Sequence, residues 1–234
     1  RIARGLVGPR GKIAGIDTEN GRMLHHAPYV QFDHAPFSAP FSPAHYLEYV
    51  DAAIEAGYQA IVVDSESHEW AGDGGCHDIH DVALTRMAGD DFRRAEKLDA
   101  LAWRDPKREH KKLMAKLIQR NCHIIFCLRA DQKLKVVKLP NGKTEYIDAG
   151  FQPICEKHFM YEMTISVLMS ADKPGTFKPI KMPEELAPIF PPDELLSEKH
   201  GEQLAEWARG GKAEPKTKQT MRPDAVKVAQ DVAE

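Results

Sequence analysis

The clearest pattern in the chain is a set of short apolar runs, each closed by a charged residue. Ala60-Ile61-Val62-Val63 is unbroken and mostly β-branched, with Gly57 before it and Asp64-Ser65-Glu66 after it. Such a run predicts a strand buried on both faces, as in a parallel sheet. Full burial of each such side chain contributes roughly 1.5–3 kcal/mol. Lys12 to Asp17, KIAGID, repeats the pattern and runs into Thr18-Glu19-Asn20-Gly21. Cys122 to Leu128, CHIIFCL, is a third such strand, followed by Arg129-Ala130-Asp131.

Helical signals lie between the runs. Arg1 to Val7 reads as the end of a helix closed by Gly8-Pro9. Ser42-Pro43 has N-cap and first-turn chemistry. Leu47, Val50 and Ile54 then share a helical face, and Gly57 stops it. Asp105-Pro106 opens a helix with Leu113, Met114, Leu117 and Ile118 on one side, ending at Asn121. Residues 25–41, rich in Pro, His and Phe, read as an irregular loop, and Gly72, Gly74 and Gly75 as a mobile one. Strand and helix alternate, which predicts an α/β fold: a mostly parallel sheet with crossover helices.

The second half is less regular. Leu134 to Leu139 and Thr144 to Asp148 flank Pro140-Asn141-Gly142-Lys143, a good β-hairpin signal. Tyr161 to Met169 reads as a further strand, and the Pro-rich stretch 174–192 as surface chain. Asp193 to Arg209 predicts an amphipathic helix carrying Leu195, Leu196, Leu204 and Trp207. From Gly210 the chain holds Lys, Glu, Pro and Ala without an aromatic residue, which predicts a disordered tail with a short helix at 224–233. The expected division is a core at 1–192, a helix at 193–209 and a tail at 210–234. No internal repeat is visible.

Composition narrows the class. The chain has 234 residues, 42% hydrophobic and 29% charged, with net charge −3. That suits one globular domain and argues against polyanion binding by overall charge. No apolar run is long enough for a membrane span, and no signal peptide is seen. Cys76, Cys122, Cys127 and Cys155 include no C-x-x-C pair, and two belong to an apolar strand. Reduced thiols and a cytoplasmic location are expected. Cys76, His77 and His80, with His68 nearby, match no structural zinc spacing. Packed thiol and loop histidines are the simpler account. Lys107, Arg108, Lys111, Lys112 and Lys116 read as a solvated helix face, with DNA contact as the other reading.

The acidic strand ends carry the candidate chemistry. A carboxylate ending a buried strand is costly unless something uses it. Ligands bind at the carboxyl edge of parallel sheets. An apolar strand ending in Asp64-Ser65 has the Walker B arrangement, in which the aspartate holds Mg²⁺, usually through water. A turn-forming aspartate after a core strand is the equal alternative. If the first two strands are parallel and adjacent, Glu19 and Asp64 share one sheet edge. That pairing suits one group for Mg²⁺ and one to polarise an attacking water. Alone, Glu19 reads as an exposed turn residue. Glu66 and Glu69 are the next carboxylates for the base. Arg129 could sense a γ-phosphate or pair with one of the acids. Lys133, Lys135, Lys138 and Lys143 make the hairpin basic, a surface for single-stranded DNA, though Tyr146 is its one nearby aromatic.

In order, KIAGIDTENGR, AIVVDSESHEW with its glycine-rich loop, and CHIIFCLRAD resemble the RecA-type ATPases of phages and prophages. This AAA-family group is related to the Sak-type single-strand annealing recombinases. The resemblance covers about residues 1–190. It implies a RecA-like P-loop NTPase core that binds ATP and Mg²⁺, hydrolyses ATP, and acts on DNA in phage recombination or replication as a homo-oligomer. It makes Glu19 the catalytic glutamate, Asp64 the Walker B aspartate with Ser65 beside it, and Arg129 the polar sensor. Lys178 and Lys181 match only loosely the lysines that reach a neighbouring subunit. The family's G-x-x-x-x-G-K-[ST] phosphate loop has no match, because Gly11-Lys12 opens a strand rather than a helix. The chain, which begins at Arg1 without methionine, is expected to be a fragment lacking the first strand and that loop. A nonenzymatic DNA-binding or annealing module is the alternative function.

Overall fold

The structure, a computed structural model, describes residues 1–139, 142–169, 172–191 and 194–210. Helix α1 (Ile2–Val7) leads to β1 (Ile13–Asp17), a 3₁₀ turn at Arg22–His26 and β2 (Asp33–Pro36). Then come α2 (Pro43–Glu55), β3 (Ala60–Asp64) and four helices: α3 (Ser67–Ala71), α4 (Cys76–Ala88), α5 (Phe92–Ala102) and α6 (Arg104–Leu117). Strand β4 (His123–Cys127) is followed by the long pair β5 (Ala130–Lys138) and β6 (Thr144–Pro153). The chain continues through α7 (Phe159–Glu162), β7 (Ser166–Met169), β8 (Phe177–Lys181), a 3₁₀ turn at Glu184–Ile189, and α8 (Glu198–Ala208).

The fold is α/β. Its centre is a four-stranded parallel sheet in the order β2-β1-β3-β4. Alternation along the strands builds two layers. Ala14, Ile16, Ile61, Val63, Ile124 and Phe126 face Tyr46 and Val50 of α2 and Leu113, Met114 and Leu117 of α6. Ile13, Ala60, Val62 and Ile125 face Ala3 and Val7 of α1. Because β1 is covered on both sides, all five of its residues are buried.

Local signals explain where the elements begin and end. The Ser42 hydroxyl accepts the His45 N–H at 3.3 Å and Pro43 takes the first helical position, as the sequence predicts for α2. Gly57, at φ 81°, turns the chain out of that helix into β3. Helices α1 and α8 cross glycine to glycine. A Cβ on Gly5 would overlap the Glu198 carbonyl oxygen, and one on Gly201 would overlap that of Ile2. A second apolar cluster, Phe177, Leu186, Ile189 and Phe190, packs against Leu196, Leu204 and Trp207 beside α8.

Several expectations need correction. The region 25–41 is not wholly irregular: β2 pairs with β1 as an edge strand, Asp33 opposite Ala14 through Pro36 opposite Asp17. Tyr161 to Met169 is not one strand, because α7 occupies its start and β7 begins at Ser166. The glycines after Trp70 make a tight turn between α3 and α4, where a Cβ on Gly74 or Gly75 would strike packed neighbours. Helices α4 and α5 follow where no element was expected. Helix α8 starts at Glu198, capped by Ser197 and His200, so Leu195 and Leu196 precede it. The hairpin strands extend to Ala130 and Pro153. Its Pro140-Asn141 turn, and the tail from residue 211 with its helix at 224–233, lie outside the described residues.

Candidate functional site

Strands β1 and β3 are adjacent and parallel, with Asp17 opposite Asp64, and Cys127 of β4 stands next in the row. Three loops therefore leave the carboxyl edge side by side: 18–21, 65–66 and 128–129. Backbone bonds lock them together. Thr18 N–H donates to the Asp64 carbonyl at 2.8 Å, Glu66 N–H to that of Cys127 at 2.9 Å, and Arg129 N–H to the Ser67 hydroxyl at 2.9 Å.

Asp17 organises the first loop. Its buried carboxylate accepts the Glu19 N–H at 2.7 Å and the Met23 N–H at 3.0 Å, and pairs with His34 Nε2 at 3.0 Å. Burial raises its pKa, but His34 and the two N–H groups outweigh that and leave it below the usual carboxylate range. Asp17 is thus a fully engaged scaffold for the turn that presents Glu19.

Asp64 is the opposite case. Burial, then the charges of Glu19 and Asp17, push its pKa up. Its carboxylate takes no hydrogen bond from the described residues. The charges of Arg22 and His26 offset that rise only in part, and a cation at the carboxylate would relieve the rest. The Asp64–Ser65 peptide is cis. Ser65, expected beside Asp64 in a nucleotide site, is only 1% exposed, and its hydroxyl accepts the Ser67 N–H at 3.2 Å. Its carbonyl accepts from the Tyr46 hydroxyl at 2.7 Å. Ser65 shapes the turn and does not face the edge.

Glu19 lies among cations. Arg129 Nη2 and Nε stand 2.6 Å and 2.9 Å from Glu19 Oε1. His68 Nε2 is 3.9 Å from the same oxygen, and Arg22 Nη1 is 3.7 Å from Oε2. Of the two roles open to Arg129, the one seen is pairing with an acid.

His68 joins the group unexpectedly. Its Nδ1 lies 2.7 Å from the Thr18 hydroxyl, which also accepts the Ser65 N–H at 2.7 Å. The hydroxyl also lies 3.2 Å from the Ser65 carbonyl, so it bridges His68 to the turn after β3. Burial, then the Arg129 charge, lower the His68 pKa and keep the ring neutral near pH 7. Phe41 stacks on it at 4.8 Å. The sequence signal was the DSESH spacing, which places the histidine one helical turn beyond the strand end.

The reserve carboxylates do not reach this edge. Glu66 and Glu69 are each 1% exposed and point inward. Glu69 pairs with His110 Nδ1 at 3.1 Å and accepts from Cys76 Sγ at 3.3 Å. Burial, then Glu69, push the Cys76 thiol up, consistent with its acting as donor. Among the described residues both oxygens of Glu66 lack a partner, and burial, then Glu69, hold its carboxyl well above the ordinary range.

Other candidates are engaged elsewhere. His80 pairs with Asp81 and Asp99 and stacks on Trp103. All four cysteines are free. Lys181 donates to the Tyr161 and Met163 carbonyls, both at 2.6 Å, so its ammonium is used within the chain, whereas Lys178 is exposed. Lys12 stands at the opposite, amino end of the sheet, over the Tyr58 ring. Gly11-Lys12 is therefore no phosphate cradle.

Among the described residues, no group of three or more His, Cys, Asp or Glu is arranged to hold a metal. Mg²⁺ in phosphoryl-transfer sites commonly takes one or two carboxylates, its other positions filled by water and phosphate. Asp64 fits that limited role. No described helix is long and apolar enough to cross a membrane. The chain matches no protein-family model, no curated protein and no solved structure.

Proposed function

We propose that this chain carries the metal-and-water half of a RecA-like P-loop ATPase acting on DNA in phage recombination or replication. The observation that carries the reading is the register of Asp17 with Asp64, which brings two acidic loops to one sheet edge beside Arg129. Asp64 would hold Mg²⁺ through water, Glu19 would polarise the attacking water, and Arg129 would meet the phosphate. Arg129 cannot serve a phosphate and Glu19 fully at once. The ion pair is then the resting state, opened when a more highly charged anion draws the guanidinium away.

Nothing in the described residues supplies the N–H cradle such a nucleotide needs. It would come from chain outside them. Strand β4 is an edge strand, only partly buried. A parallel strand added there would end beside the 128–129 loop that carries Arg129. In this reading ATP and Mg²⁺ bind only when that segment is present, the complete protein is cytoplasmic and oligomeric, and single-stranded DNA is its partner.

The lack of a cradle also favours a second reading: a nonenzymatic DNA-binding or annealing module that keeps the fold as a scaffold. Nucleotide binding by the product of the whole reading frame, compared with residues 1–234, separates the two. The ATPase reading expects Mg²⁺-dependent binding and hydrolysis in the former and none in the latter. No nucleotide binding by the whole product would leave the module.

A further inference from the structure

The β5–β6 ribbon is built unlike the rest of the molecule. It is a two-stranded sheet on its own, and among the described residues no other element packs broadly against it. Val136 pairs with Tyr146, Leu134 with Asp148, and Lys135 with Ile147. Leu134, Val136 and Tyr146 therefore share one face, while Ile147 lies on the other. These side chains are 64%, 56%, 67% and 46% exposed, and Phe151 further along is 56% exposed. An isolated two-stranded ribbon is marginal in water, and apolar exposure on both faces is a liability unless covered.

Charge separates the two strands. β5 carries Asp131 against Lys133, Lys135 and Lys138, a net +2. β6 carries Glu145 and Asp148 and no base, a net −2. Each strand presents an outer edge of backbone N–H and C=O groups. A lysine-bearing edge repels its own kind and so guards against β5–β5 pairing. The acidic edge guards likewise against β6–β6 pairing. The pairing left favourable is β5 of one ribbon with β6 of another.

We propose that the ribbon is an assembly arm whose occupant is a second copy of this chain, joined head to tail by strand addition, β5 of one copy to β6 of the next. Backbone hydrogen bonds extend the sheet, lysines meet carboxylates across the join, and the Leu134-Val136-Tyr146 face gains apolar neighbours. Such a contact is heterologous, so it leaves one basic and one acidic edge free and propagates to a ring or an open chain. Single-stranded DNA fits the ribbon less well. Its strand charges cancel, and most of its exposed apolar side chains are not aromatic platforms. The inference is independent of nucleotide chemistry.

The test is the mass of the 234-residue chain in solution, by light scattering across a concentration series. The wild type should rise with concentration above the 26.3 kDa of one chain and fall back as salt is added. Lys135→Glu/Lys138→Glu should stay monomeric, as should Glu145→Lys. Mixing the two variants should restore association, because each supplies the edge the other lost. A wild type that remains at one chain's mass, variants that assemble like the wild type, or a mixture that stays monomeric would overturn the proposal. Loss of oligonucleotide binding in the lysine variant, with mass unchanged, would assign the ribbon to DNA instead.

Discussion

Arg129 reaches 110 residues back along the chain to close over Glu19, its Nη2 and Nε both directed at one carboxylate oxygen. The contact joins the loop after β4 to the loop after β1 across β3. It holds in register the groups assigned to phosphate sensing and water activation.

That pair should matter little to stability and much to turnover. Arg129 is 50% exposed at its side chain, so screening keeps the ion pair below about 1 kcal/mol. Arg129→Ala should therefore unfold in urea close to the wild type. In the product of the whole reading frame it should slow ATP hydrolysis by about 10³-fold, the low end for an arginine meeting the transferring phosphate. A large stability loss with unchanged turnover would make the residue purely structural.

Thr18 should behave the other way. Its buried hydroxyl satisfies the Ser65 N–H and hydrogen-bonds with His68 Nδ1. Thr18→Val should cost about 1–3 kcal/mol, the penalty for stranding a buried donor. Thr18→Ser, which keeps the hydroxyl, should restore most of it. Urea unfolding gives the energies, and the nitrogen shifts of His68 report which ring nitrogen carries the proton and whether the substitution moves it.

Glu66 sets a pH dependence with a definite sign. Its folded pKa lies above the ordinary 4.5, so between those values the native state holds the extra proton. Its contribution is fully present below 4.5 and is lost as pH rises through the folded pKa, at up to about 1.4 kcal/mol per pH unit. Glu66→Gln should flatten that slope when unfolding is followed from about pH 5 to 8. Asp17 acts in a lower window. Its depressed pKa adds stability above 3.8 that disappears as pH falls through the folded value. An unchanged slope in Glu66→Gln would mean that the buried carboxyl is ionised and partnered.

What the sequence made legible follows from how each segment buries itself. β1, β3 and β4 are covered on both faces or nearly so, and continuous apolar runs announce that directly. β2 is DHAP, an edge strand with a charge and a proline, and nothing in its composition distinguishes it from a loop. Helices α4 and α5 leave Val82, Phe92 and Leu101 in water and bury mainly small residues, so their apolar periodicity is faint. At the site, Glu19 and Asp64 could be paired from their strands alone. The DSESH spacing put His68 one helical turn past the strand, but its contact with Thr18 appears only once the short helix α3 is in place. Nothing local marks the inward turn of Ser65 or the burial of Glu69, which rest on Tyr46 and His110 from other helices.

The central claim is that Glu19 activates water at an edge where Asp64 holds the metal. Steady-state ATP hydrolysis by the whole-frame protein carrying Glu19→Gln, with Mg²⁺ and single-stranded DNA present, tests it most directly. The substitution removes the base and leaves nucleotide binding in place. Turnover should drop by roughly 10²–10⁴-fold at unchanged nucleotide affinity. Hydrolysis at the unmutated rate would contradict the assignment, and with Glu66 and Glu69 sealed in the interior no other glutamate of these loops could take its place.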